Sequence, residues 1–169
     1  MVKTYLKKPD YGDLKFIRRL WSDPPTMKEV GGTVVLTDSQ AEQWYHKMIT
    51  PGSSGHCYRI ILNKDFQPVG EVSFHDYDDN SGKARFNVKI LADCRGSGYG
   101  KSAIYQLLDY FFNRRGGMIM EDYLALNNDK GREVLIKFGF QWDQTRKDVV
   151  RLFLTNKDFN KLYPSSFEH

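Results

Sequence analysis

The sequence has few of the features that mark secreted, membrane or metal-binding proteins. Its 169 residues include two cysteines, Cys57 and Cys94, too few for a disulfide framework or a cysteine zinc site. No apolar run approaches the roughly 18 residues that a membrane-spanning helix needs, and the N-terminus lacks the apolar core of a signal peptide. These absences predict a single cytoplasmic domain over residues 1–169, with no metal site and no membrane contact.

The sequence also lacks a large excess of either positive or negative charge. The net charge is +4, and the basic pairs are dispersed among acidic and apolar neighbours. A basic stripe with interleaved aromatic residues, which a nucleic-acid-binding surface usually requires, is missing. The composition therefore predicts no nucleic-acid partner, and a hydrophobic content of 40% indicates a globular domain with a substantial core.

The most informative segment is Arg95-Gly96-Ser97-Gly98-Tyr99-Gly100. Before it, apolar and polar residues alternate from Ala84 to Ile90, which predicts a strand; after it, apolar residues from Ala103 to Phe112 recur at helical spacing. A glycine-rich turn that opens a helix directs free N–H groups and the positive end of the helix dipole at one point. The segment therefore predicts a binding site for a phosphate-bearing ligand.

The spacing of the glycines distinguishes between phosphate-binding motifs. A P-loop requires G-x-x-x-x-G-K-[ST], but Arg95 occupies the position of its first glycine, and the dinucleotide fingerprint G-x-G-x-x-G fails at Lys101. The segment fits [R/Q]-x-x-G-x-[G/A] at every required position. It thus resembles the pyrophosphate-binding signature of the GNAT-type N-acetyltransferase superfamily.

A second segment resembles the closing pattern of the same superfamily. Asn127-Asn128 precedes a short helical run that ends in Lys137-Phe138-Gly139-Phe140. The two motifs together delimit a cofactor core of about residues 84–140. A weaker cue, the Ser-Asp-Pro…Met…Gly-Gly pattern that begins at Ser22, resembles the branch that includes the ribosomal-protein alanine acetyltransferases.

The order of the elements predicts an α+β protein. The resemblance implies a three-layer α/β/α fold, with a mixed, mostly antiparallel sheet of about seven strands flanked by about four helices. The strands are expected near 3–7, 57–63, 69–77, 83–91, 118–126, 141–146 and 148–154. The helices are expected at 11–21, after Thr37, after the glycine-rich loop and at 129–138.

The resemblance also implies acetyl-CoA as the cosubstrate, and transfer of its acetyl group to a primary amine of a small molecule or a protein N-terminus. The expected cofactor-binding residues are Ile90 and Leu91 for the pantetheine and thioester, and Arg95, Gly96, Ser97, Gly98, Tyr99 and Gly100 for the pyrophosphate. By their chemistry Lys101, Ser102 and Asn128 are further candidates. The alternative is a non-catalytic acyl-CoA-binding or regulatory module with this fold.

Strand alternation yields three candidates for the general base: Glu71, His75 and Asp122. Glu71 and His75 share a polar strand face with Arg85 and Lys89, which predicts either an open cleft or charge pairs such as Glu71–Lys89. Asp122 stands among apolar residues of its own face, which should raise the pKa of its carboxyl.

Together with Glu71 and Asp122, four further acidic residues could form a negative rim that attracts a cationic amine, such as a polyamine, an aminoglycoside or a peptide N-terminus. These four are Asp76, Asp78, Asp79 and Glu121.

The general acid is less clearly marked. Many members of the superfamily carry a tyrosine seven residues after the asparagine, whereas this chain has Leu135. Tyr123 or Asn128 would then protonate the leaving thiolate, or coenzyme A would leave unaided. The aromatic segments leave room for a homodimer, because they suit either core or interface; they are Trp44-Tyr45, Phe153, Phe159, Tyr163 and Phe167.

Overall fold

The computed structural model describes residues 1–144 and 146–164 of the chain. One sheet of seven strands crosses it in the order β1-β2-β3-β4-β5-β7-β6. Its neighbouring strands pair antiparallel, except that β4 and β5 are parallel. The strands are β1 Tyr5–Lys7, β2 Cys57–Leu62, β3 Pro68–Asp78, β4 Lys83–Ile90, β5 Ile119–Ala125, β6 Gln141–Asp143 and β7 Val149–Thr155.

Helices flank the sheet on both faces. They are α1 Leu14–Ser22, α2 Pro24–Met27, α3 Asp38–Met48, α4 Tyr99–Asp109, α5 Asp129–Phe138 and α6 Asn156–Leu162. A single 3-10 turn at Tyr11–Asp13 precedes α1, and a π-helical turn at Tyr110–Arg114 extends α4. The α+β class and the layered architecture expected from the sequence are confirmed.

Two short helices were not expected. Helix α2 begins at Pro24, because proline is tolerated in the first helical turn and Asp23 caps the helix by accepting the N–H of Thr26. Thr155 caps α6 in the same way through Asp158. Strand β6 ends at Asp143, before the expected Arg146; Thr145 and Phe167 lie outside the described residues.

Local capping signals are present where the sequence indicated them. Thr37 and Gln40 form a reciprocal capping box at the start of α3. Gly139 ends α5 with a φ of +126°, a conformation that favours glycine, and the chain then enters the core at Phe140. None of the described helices is long and apolar enough to cross a bilayer.

Two hydrophobic cores lie on opposite faces of the sheet. On one face α4, α5 and α6 pack around residues such as Phe74 and Met120. On the other face α1 and α3 pack against β2 through residues such as Ile17 and Ile60. The sheet is therefore the middle layer of three.

Strands β4 and β5 diverge. Their parallel pairing comprises only Lys83–Arg85 with Ile119–Glu121, although β4 continues to Ile90 and β5 to Ala125. Because the two strands separate beyond Arg85, a gap opens in the centre of the sheet. The glycine-rich loop follows the end of β4 and so lies at the wide end of this gap.

Candidate active site

A cleft of about 420 Å³ opens on the α1 and α3 side of this gap. The polar face of β3 and β4 forms both an open cleft and a Glu71–Lys89 charge pair. The register of the two strands places Glu71 opposite Lys89 and His75 opposite Arg85, and all four residues line the cleft. The residues that line it are Trp21, Trp44, Met48, Tyr58, Glu71, Ser73, His75, Arg85, Phe86, Asn87, Lys89, Asp122 and Tyr123.

Glu71 is buried at the base of the cleft, with 1% of its surface exposed. One carboxylate oxygen accepts from Trp21 Nε1 at 2.9 Å and from the hydroxyl of Tyr58. The other accepts from Asn87 Nδ2 at 3.1 Å and from Lys89 Nζ at 2.8 Å. Four donors therefore fix the position of the carboxylate, which in turn holds the lysine in place.

Asp122 lines the cleft just beyond the last residue of β5 that pairs with β4. Desolvation raises the pKa of its carboxyl to about 7, while the N–H of Tyr123 and the charge of Lys89 act in the opposite direction. The raised pKa expected from its apolar neighbours is present. Strand β5 lies between β4 and β7, so Asp122 is on a central strand rather than at an edge.

His75 lines the same cleft and is half-buried. Desolvation lowers the pKa of its imidazole, with Asp76 opposing the shift and His56, Arg85 and Lys89 adding to it. The ring is therefore neutral near pH 7. The three candidates for the general base thus face one cleft, but in three different electrostatic environments.

The glycine-rich loop presents its main chain outward. Gly96 and Gly98 have φ values of +82° and +83°, and Gly98 is the residue that precedes the first turn of α4. The first N–H groups of a helix have no partner within it; here they belong to Tyr99, Gly100 and Lys101. A Cβ on Gly96 would meet no atom within 4 Å, so there is free space beside the loop.

Several of the expected cofactor-binding residues use their side chains in hydrogen bonds within the protein. Arg95 donates through Nε to the carbonyl of Ile90 and through a terminal nitrogen to that of Thr26, which fixes the loop to β4 and α2. Ser102 is buried on the inner side of α4, where its hydroxyl bonds Thr4 Oγ1 at 2.7 Å. The structure therefore turns Ser102 away from the outer surface of the loop, while Lys101 is exposed there.

Two other expected contacts lie at the ends of neighbouring elements. Asn128 caps α5, with its side-chain oxygen accepting the N–H of Gly131 at 3.0 Å. Leu91 is buried and donates its N–H to the carbonyl of Val69, whereas Ile90 is partly exposed beside the gap.

The aromatic wall of the cleft was not identified from the sequence. Trp21, Trp44 and Tyr58 stack edge to face, with ring centroids 5.2 and 4.9 Å apart along the series. The available signal was that tryptophan and tyrosine require a hydrogen-bond partner when buried, and Glu71 supplies it.

The negative rim is weaker than the sequence suggested. Glu71 is paired with Lys89, and Glu121 accepts from Arg151 at 2.6 Å. Although desolvation opposes it, Arg151 lowers the pKa of Glu121. Asp76, Asp78 and Asp79 are exposed at and beyond the end of β3. Among the described residues, no group of three or more His, Cys, Asp or Glu side chains could hold a metal ion.

Comparison with known proteins gives a consistent result. Residues 3–141 match the family model of the acetyltransferase (GNAT) domain. No match was found among curated proteins.

Among solved structures, the spermidine N-acetyltransferase of Vibrio cholerae in complex with CoA and spermine is 19% identical, with a TM-score of 0.82 over 92% of this chain and 97% of that one. A chimera of that enzyme with a second acetyltransferase is 20% identical, with a TM-score of 0.80 over 92% and 97%. The same enzyme with manganese ions is 17% identical, with a TM-score of 0.76 over 95% and 97%. At this identity the likeness establishes the fold.

Proposed function

The chain belongs to the GNAT acetyltransferase family, and we propose that this N-acetyltransferase uses acetyl-CoA to acetylate a primary amine bound in the cleft, with Asp122 as its general base. The observation that carries the proposal is the position of Asp122. It is a carboxyl group with a pKa of about 7, at the gap between β4 and β5.

The loop from Gly96 to Lys101 suits the pyrophosphate of acetyl-CoA. Its free main-chain N–H groups, the positive end of the α4 dipole and the open space beside Gly96 together fit an anion. Arg95 would hold the loop through its bonds to two carbonyls rather than by touching phosphate itself. The pantetheine would then follow β4 from Ile90 into the gap.

Asp122 is better suited than the other two candidates to accept a proton. A general base works best when its pKa lies near the operating pH, which is the case for a carboxyl with a pKa of about 7. Both oxygens of Glu71 are already occupied by donors. The lowered pKa of His75 makes its imidazole a weaker base.

Departure of the thiolate without a protein acid agrees best with the surroundings. Leu135 is buried in the core, and the side chain of Asn128 caps α5. Tyr123 lines the cleft, but its hydroxyl already donates a hydrogen bond to Glu121 at 3.2 Å. Coenzyme A would therefore leave as a thiolate and take its proton from solvent.

The test of the proposal is Asp122→Asn in an assay of thiol release from acetyl-CoA with a panel of amines. We expect kcat/KM to fall by about 10²–10⁴-fold, since a general base typically contributes that much. In the wild type kcat/KM should rise as the pH rises toward 7 and then level off, because Asp122 acts in its ionised form. The variant should lose this step.

Asp79→Asn is the control, because Asp79 is exposed in the turn after β3 and lies outside the cleft. It should keep the wild-type rate and pH profile. An Asp122→Asn enzyme that is folded and nearly as active as the wild type would refute the assignment. Binding of coenzyme A without turnover of any amine would favour the non-catalytic module instead.

A further inference from the structure

The cleft contains a cation that the proposed mechanism does not use. Arg85 lines it where the pairing of β4 with β5 ends, opposite Glu121 and one residue from the level of Asp122. The guanidinium of Arg85 lies over the ring of Tyr123, 5.3 Å from its centroid. A cation–π contact of this kind holds the guanidinium near the ring and leaves its N–H groups available to an acceptor.

The other cations beside the cleft form ion pairs with carboxylates of the protein. Lys89 lies 2.8 Å from Glu71, and Arg151 lies 2.6 Å from Glu121. Across residues 1–144 and 146–164, no carboxylate comes within ion-pair distance of Arg85. An arginine side chain has five N–H donors and no acceptor, so an anion in the cleft would be its natural partner.

Apart from Glu121, which is paired with Arg151, the polar groups around Arg85 add donors rather than negative charge. His75 is its cross-strand partner and is neutral near pH 7, so one ring N–H can be donated into the cleft. Ser73 and Asn87 form the next cross-strand pair along the same wall. With Glu71 neutralised by Lys89, Asp122 is the remaining acidic group of the cleft lining.

We propose that the acceptor is a primary amine that carries an anionic group, a carboxylate or a phosphate, a few bonds from its nitrogen, and that Arg85 binds this group. The inference rests on the proposed function, because it identifies the substrate class of the same cleft. The amine would lie at Asp122 and the anion at Arg85, which are neighbours across the end of the β4–β5 pairing. Arginine suits both anions because its planar fork binds carboxylate and phosphate with two parallel hydrogen bonds.

The same arrangement disfavours polyamines. The second ammonium group of a diamine bound at Asp122 would lie near Arg85, and this like-charge contact would weaken binding. Selectivity therefore follows from repulsion as well as from attraction. We expect this chain to differ in its substrate from the spermidine N-acetyltransferase that shares its fold.

The experiment compares acceptors that differ in charge but little in shape. The carboxylate arm compares 4-aminobutyrate, which carries an anion, with butylamine, which carries none, and with putrescine, which carries a second amine. The phosphate arm compares phosphoethanolamine with ethanolamine. In the better arm, we expect kcat/KM for the anionic amine to exceed that for its neutral counterpart by about 10- to 100-fold, the range of a charged hydrogen bond, mainly through a lower KM. The arm with the larger ratio identifies the anion.

Variants at Arg85 separate direct binding from a general effect. Arg85→Met, which keeps the length of the stem, should lower kcat/KM for the anionic amine far more than for its neutral counterpart and so abolish most of the preference. Arg85→Lys should restore part of the preference, because it keeps the charge but not the fork. Lys83→Met is the matched control, since Lys83 lies on the same strand face but outside the cleft lining, and it should leave the preference unchanged.

Equilibrium binding makes the inference independent of turnover. Trp21 and Trp44 line the cleft, so their fluorescence should report acceptor binding directly. Tighter binding of the anionic amine that is lost in Arg85→Met would support the inference even in a protein that acetylates nothing, an outcome that would refute only the proposed function. Preference of the wild type for putrescine, or an equal loss for all acceptors in Arg85→Met, would overturn the inference.

Discussion

Two carboxylates in the same cleft have opposite environments. Glu71 accepts from four side-chain donors, whereas Asp122 accepts the N–H of Tyr123, its neighbour in the chain. The donors hold the carboxylate of Glu71 in place, while burial raises the pKa of Asp122 to about 7. Under the proposed function, these surroundings rather than the residue type give Glu71 a positioning role and Asp122 the proton transfer.

Glu71→Gln should destabilise the fold. The amide would direct N–H groups at side chains that are themselves donors, and Lys89 would lose its counter-charge in a site where 14% of its side chain is exposed. Breaking a buried ion pair costs about 3–5 kcal/mol, and we expect the lower end here because Lys89 borders the open cleft. Chemical denaturation of both proteins measures the difference.

Glu42→Gln is the comparison for this substitution. Glu42 is exposed on α3 and its recorded partner is His46, at 3.8 Å. An equal loss of stability in Glu42→Gln and Glu71→Gln would show that the Glu71 network contributes nothing specific.

Tyr123→Phe should retain most of the wild-type kcat. The substitution keeps the ring beneath Arg85 and removes only the hydroxyl that donates to Glu121. If coenzyme A leaves as a thiolate, this hydroxyl is not needed for chemistry. Loss of kcat comparable to that of Asp122→Asn would instead identify Tyr123 as the general acid.

At the scale of elements, the proposed anion-binding unit consists of the glycine-rich loop and α4. Gly98 reverses the chain in a left-handed conformation, so that the next residues enter the helix with their N–H groups facing outward. Arg95 fastens the start of the loop, and Ser102 fastens the first turn of the helix to Thr4. The geometry of the free N–H groups is therefore set from both sides.

Gly98→Ala should weaken the binding of coenzyme A by about 10-fold or more, since a displaced loop loses at least one charged hydrogen bond. An alanine at a φ of +83° also carries backbone strain of about 1–2 kcal/mol. Titration calorimetry measures the change in affinity.

Gly116→Ala is the control that separates the effect of backbone strain from the effect of a damaged binding loop. Gly116 has a φ of +81° and space for a Cβ, and it lies in the turn before β5 rather than in the loop. It should lose similar stability and keep the wild-type affinity. Equal affinity of both variants for coenzyme A would argue against a diphosphate site at Gly98.

At the scale of the whole molecule, the site depends on the two halves of the sheet. Strand β4 is held by β3 along its length, and β5 is held by β7 along its length, but the two strands pair with each other only at Lys83–Arg85. The gap thus lies between two well-paired half-sheets. A ligand that binds this gap and the loop would join them and should stabilise the folded state.

Coenzyme A at about 100 times its Kd should add about 2.7 kcal/mol of stability, which corresponds to an increase in Tm of about 5–10 °C for a domain of this size. Pantetheine, which lacks the diphosphate, should give a much smaller shift at the same concentration. Differential scanning calorimetry with both ligands measures this. Equal shifts would mean that the loop does not bind the diphosphate.

Local signals in the sequence were sufficient for many elements. The asparagine before a ten-residue run and the glycine after it predicted α5 over Asp129–Phe138, residue for residue. Strict alternation predicted the faces of β3 and β4, and hence that Glu71 and His75 would lie beside Lys89 and Arg85. These features depend on residues that are close together in the chain, so they can be predicted from the sequence alone.

The sequence by itself predicted a phosphate-binding loop and a shortlist of three bases, and its resemblance to the superfamily implied the layered fold. Only the tertiary structure decided that β4 and β5 separate after Arg85, that four donors occupy Glu71, and that Arg85 remains without a carboxylate partner among the described residues. The physical reason is that pKa values and ion pairs depend on groups brought together from distant segments, as Trp21, Tyr58 and Lys89 are around Glu71. Periodicity predicts the face of a strand on which a residue lies, and packing determines what that residue meets there.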